Sequence, residues 1–168
     1  RLFSAGADLL TADLRPGFDN AAGVRALQYM LDVLEFCPPE SATYDFSEAN
    51  NAYLSGRVAM LEQWIEFAIY AETPSGPSGQ SQVVGKTGYA LLPGVAEGGK
   101  VRQVVNGSSW NSFITKSAKN KRLAYKFIEF LTFRDSELLK LPCGVMPCRK
   151  PTLSDPQLRK KYPFFEAL

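Results

Sequence analysis

The 168-residue sequence contains no histidine. That absence removes the usual acid–base group at neutral pH and the commonest protein metal ligand. It also rules out a Ser/His/Asp or Cys/His nucleophilic engine within these residues. Long apolar runs are missing too: no stretch of about 18 apolar residues could cross a bilayer as a helix. Neither sign of charge dominates, with 19 Lys and Arg against 17 Asp and Glu and a net charge of +2. A polyanion partner is therefore not indicated. The nearest basic run, Lys116, Lys119, Lys121 and Arg122, reads as the solvated start of a helix and not as a nucleic-acid surface. There is no Gly-x-x-x-x-Gly-Lys-Ser/Thr loop, no Gly-x-Gly-x-x-Gly turn, no internal repeat and no heptad pattern.

Cysteine is scarce. Cys143 and Cys148 share the segment Leu-Pro-Cys-Gly-Val-Met-Pro-Cys-Arg, and Cys37 stands apart. The pair could close a small disulfide ring suited to an oxidising compartment, or remain two free thiols. Zinc is poorly supported, because a third sulfur and any histidine are lacking nearby. The chain begins at Arg1, not at a methionine. It reads as a piece of something longer, and a missing leader says nothing about export.

What is present is 45% hydrophobic residues, enough to bury one core. A helix is predicted after Asp19 or Asn20 as the cap, with Val24, Leu27, Leu31 and Leu34 at helical spacing, stopping near Phe36 before Pro38 and Pro39. A second starts at Ser47, with Phe46 as a staple, and ends at Gly56. Arg57 to Leu61 reads as a short buried strand, and Glu62 to Glu72 as a helix or a turn plus helix. The run Thr73 to Ser81 is an exposed loop. Strand periodicity then governs Val84 to Leu92, Val101 to Val105 and Asn111 to Thr115. An amphipathic helix follows, starting near Ser117 or Asn120, with Leu123, Ala124, Phe127, Ile128 and Leu131 on its core stripe. A short helix from Asp135 or Ser136 through Leu141 and a last one from about Ser154 to Tyr162 complete the chain. Alternation of helices and strands predicts an α/β fold.

Two tryptophans carry the functional interest. Trp64 closes the run Leu-Ser-Gly-Arg-Val-Ala-Met-Leu-Glu-Gln-Trp, and Trp110 follows Asn106-Gly107-Ser108-Ser109. An indole at such a position is either a core plug or a plate for a ligand. Small residues such as Gly107, Ser108 and Ser109 let backbone amides and hydroxyls approach a ligand closely, or merely connect two strands. A sugar presents apolar CH faces and hydroxyl edges, so a selective site needs an aromatic plate and convergent polar groups.

In order along the chain, Phe18-Asp19-Asn20, Leu54 to Met60 followed by Trp64, Leu91-Leu92-Pro93-Gly94, Asn106 to Trp110, Ser117 to Lys121 leading into Ala124 to Leu131, and Gly144 to Arg149 resemble the extracellular solute-binding proteins of ABC importers. The likeness is to the carbohydrate-binding family that includes maltose-binding protein, and it covers nearly the whole chain. It implies a periplasmic-binding-protein type II lobe, a sheet flanked by helices, forming part of a two-lobe protein. On this reading residues 1–168 are a single α/β lobe, mainly the C-terminal one, with the N-terminal lobe and the final C-terminal helices lying outside them.

The resemblance further implies a non-enzymatic protein without cofactor or metal, periplasmic or extracellular, lipid-anchored if from a Gram-positive bacterium. Its partners would be a small-molecule ligand, a sugar or another polar solute, and the membrane subunits of an ABC permease, with no nucleic acid. Trp64, Trp110 and the Gly107 to Ser109 loop would face the cleft, with Glu62 or Gln63 accepting from hydroxyls. Arg149 would either fork onto sugar hydroxyls or a phosphate, or pin its own loop through a salt bridge. Glycerol-phosphate, polyamine or another polar solute remains an alternative within the same fold. A carboxylate-based glycoside hydrolase using Glu62 and Glu66 is a distant one.

Overall fold

The computed structural model describes residues 1–76, 79–105 and 110–167. These divide into two compact units: Arg1–Phe46 with Leu91–Gly107, and Ser47–Ala90 with Ser108–Leu168.

In the first unit, α1 (Ala21–Leu34) begins where expected. The Asn20 side chain accepts from the N–H groups of Ala22 and Gly23, each at 3.0 Å, satisfying two donors that the helix itself leaves open. Its carboxamide also donates to the Gly17 carbonyl at 2.9 Å, which ties the cap to the preceding turn. Strands β3 (Val95–Glu97) and β4 (Lys100–Arg102) pair antiparallel around Gly98–Gly99, in the register Ala96 opposite Val101. The inward face of α1 carries Gly23 and Ala26. Val24, Leu27, Leu31 and Leu34, which helical spacing assigns to a core, are instead exposed. Burial needs an apolar surface opposite, and the described residues of this unit do not supply one for that stripe.

The second unit holds the larger core. Helix α2 (Phe46–Leu54) ends on a Schellman motif: Gly56 N–H donates to Tyr53 O at 2.8 Å and Arg57 N–H to Ala52 O at 3.0 Å, with Gly56 at φ +74°. A Cβ at Gly56 would meet nothing within 4 Å. Gly56→Ala therefore tests backbone strain alone and should lower unfolding free energy by about 1 kcal/mol in a urea melt. An unchanged midpoint would mean that the left-handed turn is not what ends α2.

Helix α3 (Phe67–Glu72) buries Phe67, Ala68, Ile69 and Ala71. Ala68 and Ile69 join Leu141, Phe164 and Phe165 in one cluster, while Leu54, Phe67 and Ala71 form another. Phe164 and Phe165 meet edge to face with centroids 5.0 Å apart, a geometry the ring quadrupoles favour. Strands β1 (Ser75–Gly76) and β2 (Gly79–Gln80) make a two-residue antiparallel pair within the segment expected to be an irregular loop.

Helix α4 (Lys121–Leu131) is capped by Asn120, whose Oδ1 accepts from Leu123 N–H at 2.9 Å. Its predicted core stripe is only half realised. Ala124, Ile128 and Leu131 are half-buried, but Leu123 and Phe127 are exposed together with Phe130. Then come α5 (Arg134–Lys140), a 3-10 turn Leu141–Cys143, α6 (Lys150–Leu153), α7 (Pro156–Lys161) capped by Asp155, and a last 3-10 turn Pro163–Ala167.

The expected sheet flanked by helices does not form among the described residues, whose only ladders are the two short pairs above. Residues 57–61, 84–92 and 111–115 make no ladder, and Met60 is exposed rather than buried. A strand needs a second backbone to complete its hydrogen bonds. An alternating side-chain pattern announces the conformation but cannot supply that neighbour.

Candidate functional site

Residues 61–65 lie between the two clusters of the second unit. Leu61 packs against the Leu54–Phe67–Ala71 cluster and Ile65 against the one containing Phe164. Between these anchors the burial alternates: Glu62 exposed, Gln63 half-buried, Trp64 52% exposed. Alternation of this kind belongs to an extended segment and puts Glu62 and Trp64 on one open face.

The half-buried Gln63 connects this strip to α2. Its Oε1 accepts from Trp64 N–H at 2.9 Å, and its Nε2 donates to Asn50 Oδ1 at 2.8 Å. Asn50 is 1% exposed, and among the described residues its Nδ2 has no hydrogen-bond partner. Asn50 was not singled out by the sequence, where an Asn within a helix looks like any other polar position.

Trp110 is 97% exposed. Gly107, Ser108 and Ser109, with Asn106, lie outside the described residues. Arg149 turns back onto its own unit: its Nε donates to the Thr132 carbonyl, and its guanidinium carbon sits 5.8 Å from the Phe133 ring centroid. This is a pinning arrangement, made through a carbonyl and a ring instead of a salt bridge. Nε is one of five guanidinium donors, so a ligand role for Arg149 would rest on the others.

The loop carrying Arg149 is organised by Glu137, which sequence reasoning passed over. Glu137 is 3% exposed. Oε1 accepts from Cys148 N–H at 2.8 Å, from Arg149 N–H at 3.1 Å and from the Cys148 thiol at 3.2 Å, while Oε2 accepts from the Thr152 hydroxyl at 2.6 Å. Burial pushes this carboxyl upward, but the four donors outweigh it and hold its pKa below the ordinary range. The Cys148 thiol is pushed up, by desolvation and by the adjoining carboxylate. Cys143 and Cys148 are both free thiols. At the other end of the loop Gly144 has φ +87°, and a Cβ there would lie 2.3 Å from the Tyr70 hydroxyl oxygen, so the loop is seated closely on α3.

No group of three or more Cys, Asp or Glu among the described residues could hold a metal ion. Tyr89 donates to Glu72 at 2.8 Å, and the phenol's pKa is raised through burial and then through the Glu72 hydrogen bond. A phenol so shifted stays protonated at neutral pH. A shallow groove of about 330 Å³ lies along α4 and α5, lined by Lys126, Glu129, Phe130, Phe133, Asp135 and Ser136.

The chain is similar to known proteins along most of its length. The model of the bacterial extracellular solute-binding protein family matches residues 2–137. A probable ABC transporter-binding protein of Deinococcus radiodurans is 28% identical over 89% of this chain and 34% of its own length. A probable amino-acid ABC transporter periplasmic-binding protein of Sinorhizobium fredii is 25% identical over 95% of this chain and 34% of its own. The maltose-bound structure of T. maritima MalE3 superposes with a TM-score of 0.75 at 28% identity, covering 98% of this chain and 41% of that one. The chain thus spans about a third of the length of the two curated relatives. It belongs to the bacterial extracellular solute-binding protein family, a non-enzymatic one, and carries part of the periplasmic-binding-protein fold.

Proposed function

We propose that this chain is part of the substrate-binding component of an ABC importer, taking a sugar or a related polar solute at a face that includes Trp64. The observation that carries this reading is the half-exposed indole beside Glu62, on a strip anchored at both ends by core residues. A sugar's CH face fits the ring, and the carboxylate is an acceptor for hydroxyls. The likeness to a maltose-bound protein supports a sugar; the name of the S. fredii relative favours an amino acid as the second reading. Trp110, with Gly107 to Ser109, is assigned to the same ligand, and Arg149 to a ligand bearing phosphate or carboxylate.

The family description places such proteins outside the cytoplasm, and no described helix is long and apolar enough to cross a membrane. In this reading residues 1–168 contribute to one α/β lobe of a two-lobe protein. The implied action is capture without chemistry: ligand bridges the lobes, binds the closed arrangement better than the open one, and the closed protein is recognised by a permease.

Two-dimensional NMR of the 168-residue protein tests the reading directly, because its two indole N–H signals report even millimolar affinity. Maltose is expected to shift the Trp64 signal saturably. A shift with L-amino acids but not with maltose transfers the assignment to the second reading, and no saturable shift with either overturns the role of Trp64.

A further inference from the structure

We infer that Asn50 is a positioning residue for Trp64, acting on it through the side chain of Gln63. The inference rests on the proposed role of Trp64 as a ligand plate and adds the device that holds the plate still.

The three residues form one chain of contacts: Asn50 Oδ1 takes the Gln63 Nε2 proton at 2.8 Å, and Gln63 Oε1 takes the Trp64 N–H at 2.9 Å. Asn50 belongs to α2, a helix closed by its Schellman turn, so the near end of this chain is rigid. Trp64 belongs to no helix or ladder; its carbonyl accepts from Phe67 N–H at 3.0 Å, and its own N–H is held by the Gln63 side chain. A buried amide donor without a partner is destabilising, and an apolar side chain at position 50 would avoid it. The unpartnered Asn50 Nδ2 therefore marks a polar residue whose visible bond serves Gln63 rather than α2 itself. Holding the backbone at residues 63 and 64 limits where the indole can go. Limiting it in advance reduces the ordering that a ligand would otherwise have to impose.

The test uses Trp110→Phe as parent, which leaves Trp64 as the sole tryptophan, and needs no ligand. Into it go Asn50→Leu, Gln63→Leu and Gln63→Glu, each checked for fold by far-UV circular dichroism. Because Trp64 is 52% exposed, release has about a twofold gain in accessibility to offer. Acrylamide quenching of Trp64 should rise by about that factor, with a fall in fluorescence anisotropy, in both Leu variants. Gln63→Glu should keep the parent values: its carboxylate still accepts from Trp64 N–H, and the Asn50 amide, turned over, donates its Nδ2 to the other oxygen.

Folded Leu variants with unchanged quenching would overturn the inference, and so would a Gln63→Glu protein that loses as much as Gln63→Leu. If Asn50→Leu fails to fold, the Gln63 pair still decides, since Gln63 is only half-buried. Failure of the underlying reading looks different: Trp64→Ala would leave maltose binding intact while the quenching results stood.

Discussion

Glu137→Ala lowers the unfolding free energy by about 3 kcal/mol. Four donors converge on one carboxylate, and alanine leaves all of them without an acceptor. The Thr152 hydroxyl suffers most, because Thr152 has no exposed surface through which water could replace the lost partner. The N–H groups of Cys148 and Arg149 belong to exposed residues and recover part of their loss by hydration, which keeps the total below a simple sum of four bonds. For a chain of this size the loss corresponds to a melting temperature lower by roughly 6–12 °C. Glu137→Gln keeps an acceptor for the loop amides and should fall about midway. An alanine variant melting within a degree of the parent would show that the loop does not depend on this carboxylate.

The same group sets an acid limb. Its pKa is depressed in the folded state, so its contribution is present at pH values above the unfolded carboxyl value, about 4.3. It is lost as pH falls below that value and through the folded one. The parent should thus lose stability on acidification below about pH 4.3 more steeply than Glu137→Gln, which has no proton to take up there. A second readout is chemical. Desolvation raises the Cys148 pKa first and the adjoining carboxylate second, so removing the carboxylate should speed alkylation of Cys148 near pH 8.

Glu137 also illustrates what could not be seen in the sequence. Helix ends were legible because their determinants are local: Asn20, Asn120 and Asp155 cap the helices they immediately precede, and Gly56 ends α2. A carboxylate that serves residues 11 to 15 positions away leaves no such mark. Strand assignments held only in part, for a related reason. Among the described residues the Asn111 run makes no ladder, and of the Val101 run only Val101 and Arg102 pair, within Lys100–Arg102 against Val95–Glu97, because pairing depends on which backbone lies alongside. The stripes of α1 and α4 read as core because their spacing is helical. Spacing gives the face and not what covers it, so Leu27 and Phe127 stand exposed. At the candidate site, the residue order suggested a helix or turn from Glu62, whereas residues 61–64 lie outside any helix and α3 begins only at Phe67; the Asn50–Gln63 bond that supports the strip depends on α2 folding back beside it.

Trp64→Ala separates a ligand plate from a core plug, since the two roles predict opposite results. A plug contributes to folding, and its removal from a packed site costs about 3–5 kcal/mol. Trp64 is 52% exposed, with its core anchors one residue away at Ile65 and three away at Leu61. Truncating its ring should therefore change unfolding free energy by no more than about 1 kcal/mol. Its effect belongs in binding: tryptophan at the centre of a contact is commonly worth about 2 kcal/mol or more, so maltose affinity should fall about 30-fold or more. Trp110→Ala, at a ring almost wholly in solvent, should leave the melting curve within about 0.5 kcal/mol of the parent. Calorimetry with maltose and thermal melts on the same three proteins measure both quantities. Unchanged affinity in Trp64→Ala, or unfolding of both variants, would remove the aromatic plate from the proposal; a large affinity loss with intact folding is the outcome that a structural role for Trp64 cannot produce.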